Sequence, residues 1–318
     1  MTPRTKSTGN SVPAGMAVER QSDRQWYAHS YNRPALYRLI LAGAPLLPRR
    51  WRLALARTIA PAFQRLMPHE YAAAQRNMTR VLPSPTARTV KQAVYTLFQN
   101  FASVFADLLS LNRGAFPLMQ QTVQAIHGQE YLQAVLASPR GFVAATAHMG
   151  NWDLGGKLLS AYGRTVHVLV APEQDVAIQQ LLRGRVRVTN LRFVANNGSG
   201  VFVQLLMALR RGEVVAIQAD RVMGHRSDMR LPFFGAPAGF PSSPFTLAAA
   251  AQVPVLPCFC LLRPDWQYDI FVEAPIVPVR GQEENALRHM VQVLERYITM
   301  APDQWFNFYD VWDSAAAA

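Results

Sequence analysis

From residue 140 onward, short apolar runs alternate with segments that have helical spacing. Most of the runs are rich in Val, Ile and Phe, as buried strands are. They read GFVAATA, TVHVLVA, LRFVA, EVVAIQA, VPVLPCFCLL and YDIFVEAP. Helices are predicted over residues 155–162, 174–187, 199–211, 242–251 and about 283–300. This alternation predicts an α/β fold with a mainly parallel central sheet flanked by helices.

The chain before residue 138 has a different pattern. Residues 1–30 are polar and predict a disordered tail, whereas residues 31–137 predict a helical, membrane-associating region. Residues 138–313 are predicted to form the α/β core. We expect this core to make one catalytic domain with those helices. No apolar stretch clearly reaches the roughly 20 residues that a membrane span needs, and the sequence leaves open whether residues 35–47 insert.

The charge balance points to an anionic partner. The net charge is +12, and residues 1–100 hold fifteen Lys and Arg but only three acids, Glu19, Asp23 and Glu70. Because these basic residues alternate with apolar ones, we expect an anionic membrane surface and no nucleic acid. Cys258 and Cys260 are too few for a disulfide framework and lack further zinc ligands, so they are interpreted as structural thiols.

The stretch AHMGNWDLGG, residues 147–156, contains the strongest candidate for chemistry. His148 follows a predicted strand, at the sheet edge where sites form in open α/β folds. Gly150 permits a turn, and Asn151 is a good N-cap for the next helix. Asp153, in the first helical turn, can then reach back to the imidazole. The pair predicts a general base, His148, oriented by Asp153, although a structural histidine with a capping aspartate fits the spacing equally well.

HMGNWD has the form H-x4-D and resembles the bacterial lipid A biosynthesis acyltransferases, the late lauroyl and myristoyl transferases. A second block, RRGEVVAIQADRVMGHRSDMRLPFFGAPAGFPSSPFTLAAAAQVPVLPCF, has the family's D-x-x-x-G turn, its PFFG element and its alanine-rich helix. NMTRVLP and APDQWF also have counterparts there, so that the resemblance spans about residues 35–312.

The resemblance implies transfer of a fatty acyl group from an acyl thioester to a hydroxyl of a lipid. The acceptor would be lipid A or a similar glycolipid. The co-substrate would be acyl carrier protein or coenzyme A carrying the acyl group, with no metal or other cofactor. It further implies a peripheral or monotopic protein on the cytoplasmic face of the bacterial inner membrane, and we expect a monomer.

Further site residues follow from the same resemblance. Backbone N–H groups near Gly150 and Asn151, or an arginine, are the candidate oxyanion donors. Arginines suit phosphate, and aromatic side chains suit an acyl tunnel. The candidate substrate-binding residues are Asp220, Arg221, Gly224, Arg226, Arg183 and Arg185, and the acyl-tunnel candidates are Trp152, Phe233 and Phe234.

Other functions stay open at this point. The ending NFYDVW replaces basic residues that often follow the late tryptophan in relatives with a lipid A acceptor, which leaves room for an aryl polyene or another glycolipid. The same His–Asp pair could serve a lipid or thioester hydrolase. A metal enzyme would need a third ligand beside His148 and Asp153.

Overall fold

The computed structural model describes residues 41–43, 46–111, 114–170, 190–196, 199–222 and 228–312. The predicted tail and the predicted helix over residues 174–187 lie outside these ranges. The helices are α1 (Arg49–Leu66), α2 (Pro68–Val81), α3 (Ala87–Leu109), α4 (Phe116–Gln120), α5 (Gln129–Ala137), α6 (Trp152–Leu159), α7 (Ser199–Arg210), α8 (Ser243–Ala251) and α9 (Glu283–Met300). The strands are β1 (Val123–His127), β2 (Phe142–Thr146), β3 (Val166–Val170), β4 (Leu191–Ala195), β5 (Val214–Gln218), β6 (Met229–Phe233), β7 (Ala236–Phe240), β8 (Val255–Leu262) and β9 (Tyr268–Val272).

The central sheet has seven strands in the order β1-β9-β8-β2-β5-β3-β4. Strands β8, β2, β5, β3 and β4 run parallel to one another. Strand β9 is antiparallel to β8, and β1 is parallel to β9, so these two reverse the direction at one edge. The predicted fold, a mainly parallel sheet flanked by helices, is confirmed, and each of the six predicted strands is present.

The strands that were not predicted lack a continuous apolar run. Strand β1, with the sequence VQAIH, lies in the region predicted as helical and is an edge strand with two exposed residues. The hairpin of β6 and β7 carries Pro232 and Pro237, which pair with each other in a separate two-stranded sheet. Proline is confined to edges and bulges of sheets, so this composition gave no strand signal.

Helix α3 packs into the main hydrophobic core. Its buried residues Val94, Leu97 and Val104 belong to one cluster with Val143 and Ala145 of β2. A capping box at Thr86 and Thr89 fixes the beginning of this helix. The helical region and the sheet therefore share a core on that face of the sheet.

Helix α1 turns an apolar face away from the protein. Leu53 and Ala60 are buried against the rest of the chain. The apolar stripe of α1 is Trp51, Leu55, Ile59 and Phe63, whose exposed fractions are 62%, 51%, 45% and 39%. These residues recur every four positions and therefore lie along one side of the helix. Among the described residues, no helix combines the length and the apolarity that crossing a membrane requires.

Candidate active site

His148 lies in a tight turn between β2 and α6, as predicted. Gly150 has a positive φ of 57°, and a Cβ there would stand 2.0 Å from the carbonyl oxygen of Cys260. Only glycine fits this position, because a side chain would collide with the neighbouring backbone. Asn151 caps α6 by accepting a hydrogen bond from the N–H of Leu154 at 3.0 Å. The turn therefore places the imidazole at the carboxyl end of the sheet, beside the first turn of α6.

The carboxylate that binds His148 is Asp220. Strands β2 and β5 pair in parallel with Thr146 opposite Gln218, so the residues two positions further on, His148 and Asp220, also lie side by side. Nδ1 of His148 is 2.8 Å from Oδ1 of Asp220, and the backbone N–H of His148 donates to Oδ2 at 3.0 Å. The carboxylate thus fixes both the ring and the backbone of the histidine.

The chain after α9 completes the shell around Asp220. Trp305 Nε1 and Asn307 Nδ2 donate to Oδ2 of Asp220 at 3.0 and 3.1 Å. The N–H of Phe306 also donates to the carbonyl of His148 at 2.7 Å. Sequence reasoning missed the roles of Trp305 and Asn307. The only signal was the aromatic density of WFNFYDVW, which does not say which strand end the segment reaches.

Burial and neighbouring charges shift the pKa values of His148 and Asp220. Burial, followed by the positive charge of Arg221, lowers the pKa of His148 below its ordinary value, and Asp220 only partly opposes this. Burial by itself raises the pKa of Asp220, but His148 and Arg221 together outweigh it, so that this pKa lies well below its usual range. At neutral pH the site therefore holds a neutral imidazole next to a carboxylate.

The second ring nitrogen of His148, Nε2, is not bound to the carboxylate. With Nδ1 bonded to the carboxylate, the proton of the neutral ring lies on Nδ1 and the lone pair on Nε2. Nε2 has no hydrogen-bond partner among the residues that the structure describes, and the side chain is 15% exposed. This is the arrangement of a general base that waits for a substrate proton.

Asp153 does not occupy the predicted position at Nδ1. Its Oδ2 lies 2.6 Å from Nζ of Lys157, one turn further along α6, and the Lys157 side chain is only 2% exposed. The prediction that Asp153 orients the imidazole ring is corrected in this respect, because Asp220 binds that nitrogen. The physical reason is the register of β2 and β5, which brings a second carboxylate closer than the helix can. A catalytic contribution from Asp153 stays a prediction.

The predicted oxyanion donors are already engaged. The N–H of Gly150 donates to the carbonyl of Gln304 at 3.0 Å, and that of Asn151 to the carbonyl of Cys260 at 2.7 Å. These two groups therefore hold the turn instead of pointing at a substrate. Arg221, the other kind of donor considered, lies near His148. Its Nη2 donates to Oδ1 of Asn307 at 2.7 Å, and its guanidinium stands 4.9 Å from the ring centroid of Tyr309.

A buried polar chain links the turn to α1. Asn151 Nδ2 donates to the hydroxyl of Tyr268 at 3.1 Å, and that hydroxyl donates to Asp107 at 2.8 Å. Arg49, in the first turn of α1, completes the chain with an ion pair to Asp107 at 2.6 Å. Because a buried carboxylate needs such partners, these four side chains hold α1, α3 and the histidine turn together.

An apolar cavity of about 470 Å³ lies on the sheet face opposite the main core, under α6. This volume is within the roughly 300–1,000 Å³ that is typical of small-molecule sites. Trp152 lines the cavity, and the centroid of its ring is 5.7 Å from that of His148. The other walls are formed by Phe116, Leu132, Ala144, Gly155, Gly156, Leu158, Leu159, Tyr162, Ala216, Leu256, Cys258, Cys260 and Ile270, among others.

Trp152 alone of the three acyl-tunnel candidates lines this cavity. Phe233 is fully buried in the main core, where its ring packs against Phe240 and Trp305. Phe234 contacts Phe233 at the end of the same hairpin. The expectation that these two phenylalanines line an acyl tunnel does not hold for this cavity, because their hairpin packs on the other face of the sheet.

Two glycines form part of the helical wall of the cavity. Gly155 and Gly156 lie inside α6, where glycine is less favourable than alanine by about 0.8–1.0 kcal/mol per residue. A Cβ on Gly155 would meet only Cβ of Cys260, at 3.5 Å, and a Cβ on Gly156 would have no atom within 4 Å. The packing of the protein therefore does not require glycine at either position.

The remaining predicted substrate contacts fall outside the described residues. These are Gly224 and Arg226, as well as Arg183 and Arg185. Within the described ranges, no group of three or more His, Cys, Asp or Glu side chains is arranged to hold a metal ion.

Comparison with known proteins identifies the family of the chain. Residues 22–314 match the family model described as bacterial lipid A biosynthesis acyltransferase. The chain belongs to this family. It is 26% identical over 204 residues to a phosphatidylinositol mannoside acyltransferase of Mycobacterium tuberculosis (strain CDC 1551 / Oshkosh), with 62% of this chain and 63% of that protein covered. The chain thus spans less than two thirds of the length of this relative.

Two enzymes of Escherichia coli (strain K12) are also similar. A lipid A biosynthesis palmitoleoyltransferase is 21% identical over 183 residues, which cover 57% of this chain and 58% of that protein. A lipid A biosynthesis lauroyltransferase is 24% identical over 247 residues, which cover 76% of this chain and 78% of that protein. All three names state acyl transfer; two of them refer to lipid A and one to phosphatidylinositol mannoside.

Proposed function

We propose that this protein transfers a fatty acyl group from an acyl thioester to a hydroxyl group of a glycolipid at a membrane surface. One observation carries the proposal: a neutral His148, with Nδ1 fixed by a buried carboxylate and Nε2 unengaged among the described residues, lies beside an apolar cavity. Membership of the lipid A acyltransferase family supports it.

The chemistry follows from the His–Asp pair. Nε2 of His148 takes the proton of the acceptor hydroxyl while the hydroxyl oxygen attacks the thioester carbonyl carbon. The resulting imidazolium is stabilised by Asp220, whose carboxylate accepts a charge-assisted hydrogen bond from Nδ1–H. When the tetrahedral intermediate collapses, the C–S bond breaks and the thiolate takes the proton from Nε2. The positive charge of Arg221 lies close enough to lower the pKa of His148. Arg221 is therefore the nearest candidate for stabilising the oxyanion.

The apolar cavity suits the acyl chain of the donor. Its walls are mainly aliphatic and aromatic, and burial of each methylene group contributes about 0.8 kcal/mol. With the chain in the cavity, the thioester carbonyl would lie at the Trp152 end, next to His148. The donor is an acyl group on acyl carrier protein or coenzyme A, and the reaction needs no metal or further cofactor because the histidine supplies the base.

The acceptor is a glycolipid of the lipid A type. This proposal is supported by the names of the relatives, which are acyltransferases named for lipid A or for phosphatidylinositol mannoside. Arg183, Arg185, Gly224 and Arg226 remain candidates for contacting the phosphate or the acyl end of the substrates, by resemblance to the family.

Helix α1 is the proposed membrane contact. Its apolar stripe is exposed, and the neighbouring Arg50 and Arg65 are exposed as well. An amphipathic helix of this composition lies in the interface of an anionic bilayer. The net charge of +12 favours the same surface. A monomer bound in this way to the cytoplasmic face of the inner membrane would meet both a cytoplasmic acyl donor and a membrane lipid.

The direct test uses purified protein, palmitoyl or lauroyl thioesters of acyl carrier protein and of coenzyme A, and vesicles that contain an under-acylated lipid A or a phosphatidylinositol mannoside. Mass spectrometry should show one added acyl group on an acceptor lipid, and His148→Ala should abolish it. The matched control is His127→Ala, which removes a half-exposed histidine on β1. Release of free fatty acid at the same rate with and without acceptor would identify a hydrolase and overturn the proposal.

A further inference from the structure

Gly155 and Gly156 are unfavourable residues for the interior of helix α6, and no packing contact requires glycine at either position. At Gly150, by contrast, a side chain would collide with backbone, so glycine is required there. Gly156 has open space around it, and Gly155 has one ordinary contact. Where a sequence departs from local preference with no compensating contact, the departure is expected at functional positions.

Both glycines face the apolar cavity. They follow Trp152 by three and four positions, which puts them on the same side of α6, one turn further from His148. With a rise of 1.5 Å per residue, Gly156 lies about 6 Å along the helix from Trp152. The sheet wall of the cavity contributes Ala144 and Ala216, which are also small. Beyond this level, Leu159 and Tyr162 continue the lining.

We propose that Gly155 and Gly156 determine the length of the acyl chain that this protein transfers. This inference rests on the proposed function, in which the acyl chain enters the cavity with its carbonyl at Trp152. Because the two positions carry no side chains, the cavity stays open past the first turn of α6, and a long chain can extend towards Leu159 and Tyr162. A side chain at Gly156 would fill that space and exclude the distal methylene groups.

Loss of space in the cavity should change the donor specificity. Each methylene group that loses its place in the cavity lowers donor affinity about fourfold, from the usual transfer free energy. A leucine at position 156 that excludes two or more methylenes should therefore lower the ratio of kcat/KM for palmitoyl over octanoyl donors by at least about tenfold. Transfer of the octanoyl group, which ends near the new side chain, should change little.

The experiment compares Gly156→Ala and Gly156→Leu with the wild-type chain over a series of saturated donors from octanoyl to palmitoyl. The control is Gly200→Leu. Gly200 is also helical, and a Cβ added there would have no atom within 4 Å, yet this residue does not line the cavity. The leucine variant at position 156 should favour shorter donors, whereas the control should keep the wild-type profile.

Gly156→Ala separates specificity from folding. Alanine improves helix propensity, so the Tm should rise by about 2 °C. In the same variant the ratio for long over short donors should already fall by about two- to fourfold. An unchanged chain-length profile in both variants, or an equal loss for every donor, would overturn the inference. A wild-type chain that transfers no acyl group from any donor would instead refute the proposed function.

Discussion

Replacing Asp220 by asparagine tests the role of the His–Asp pair most sharply, because the two side chains have nearly the same shape. Three N–H donors point at Oδ2 of Asp220, from the His148 backbone, Trp305 and Asn307. The amide oxygen of an asparagine would take this position, which puts its NH2 group opposite Nδ1 of His148. The imidazole would then have to accept a hydrogen bond at Nδ1 and carry its proton on Nε2, where it could not act as a base.

The magnitude follows from the geometry of the pair. The carboxylate and the developing imidazolium are in direct contact, at 2.8 Å between Oδ1 and Nδ1. Two opposite charges about 4 Å apart interact by about 4 kcal/mol at an effective dielectric constant of about 20. Loss of this stabilisation in the transition state lowers kcat by roughly 10³-fold, and the wrong tautomer adds to the loss. KM for the donor should change little, since the apolar cavity is untouched.

The assay is steady-state acyl transfer measured by mass spectrometry across a range of pH. Since Asp220 raises the pKa of His148, the residual activity of Asp220→Asn should also show its acid limb at lower pH. Asp310→Asn is the control, because this carboxylate pairs with Arg76 in a surface ion pair. A folded Asp220→Asn variant with kcat within tenfold of wild type would refute the assignment of Asp220.

Three further predictions follow from the charges and surfaces of the molecule. Arg221→Met removes a charge that lowers the pKa of His148, so the acid limb of kcat/KM should move to higher pH, whereas a shift to lower pH would contradict this cause. Asp153→Asn leaves the buried Lys157 ammonium without its ion pair and should lower the free energy of unfolding, measured by chemical denaturation, by about 3 kcal/mol. The double variant with Lys157→Met should regain most of this stability. Trp51→Glu places a charge in the apolar stripe of α1 and should weaken co-sedimentation with anionic vesicles at least tenfold, with no change in Tm, because Trp51 is 62% exposed.

The sequence predicted the sheet well because its inner strands are short, continuous apolar runs. VVAIQ of β5 and VLPCFCLL of β8 are buried on both faces, and that burial is visible in their composition. Edge strand β1 and the proline-containing hairpin carry no such signal. The position of His148 was also predictable, since a polar residue directly after an apolar strand falls at the sheet edge.

The partner of His148 was not predictable in the same way. Asp153 is close in sequence, whereas Asp220 is 72 residues away and reaches His148 only because β5 pairs directly with β2. Strands β3 and β4 lie between them in the chain but not in the sheet. Strand order is a tertiary property. The residues DR after EVVAIQA therefore indicated a site, but the sequence did not show that Asp220 contacts His148.

The position of Phe233 and Phe234 shows a second limit. An aromatic pair near a candidate site fits an acyl tunnel as well as a core, and the hairpin that carries them packs on the sheet face away from the cavity. The cavity is lined instead by small and aliphatic residues from several separate segments, none of which stands out in the sequence. Only the folded sheet brings them together.

The measurement that tests the central claim most directly is mass spectrometry of total lipid extracts from cells that lack the protein and are complemented with wild type or His148→Ala. We expect one glycolipid species to lose a single acyl group without the protein, to regain it with wild type, and to stay deficient with His148→Ala although that variant is present in equal amount. Restoration of the fully acylated lipid by His148→Ala would contradict the assignment of His148 as the base, and an unchanged set of lipids in all strains would contradict glycolipid acylation itself.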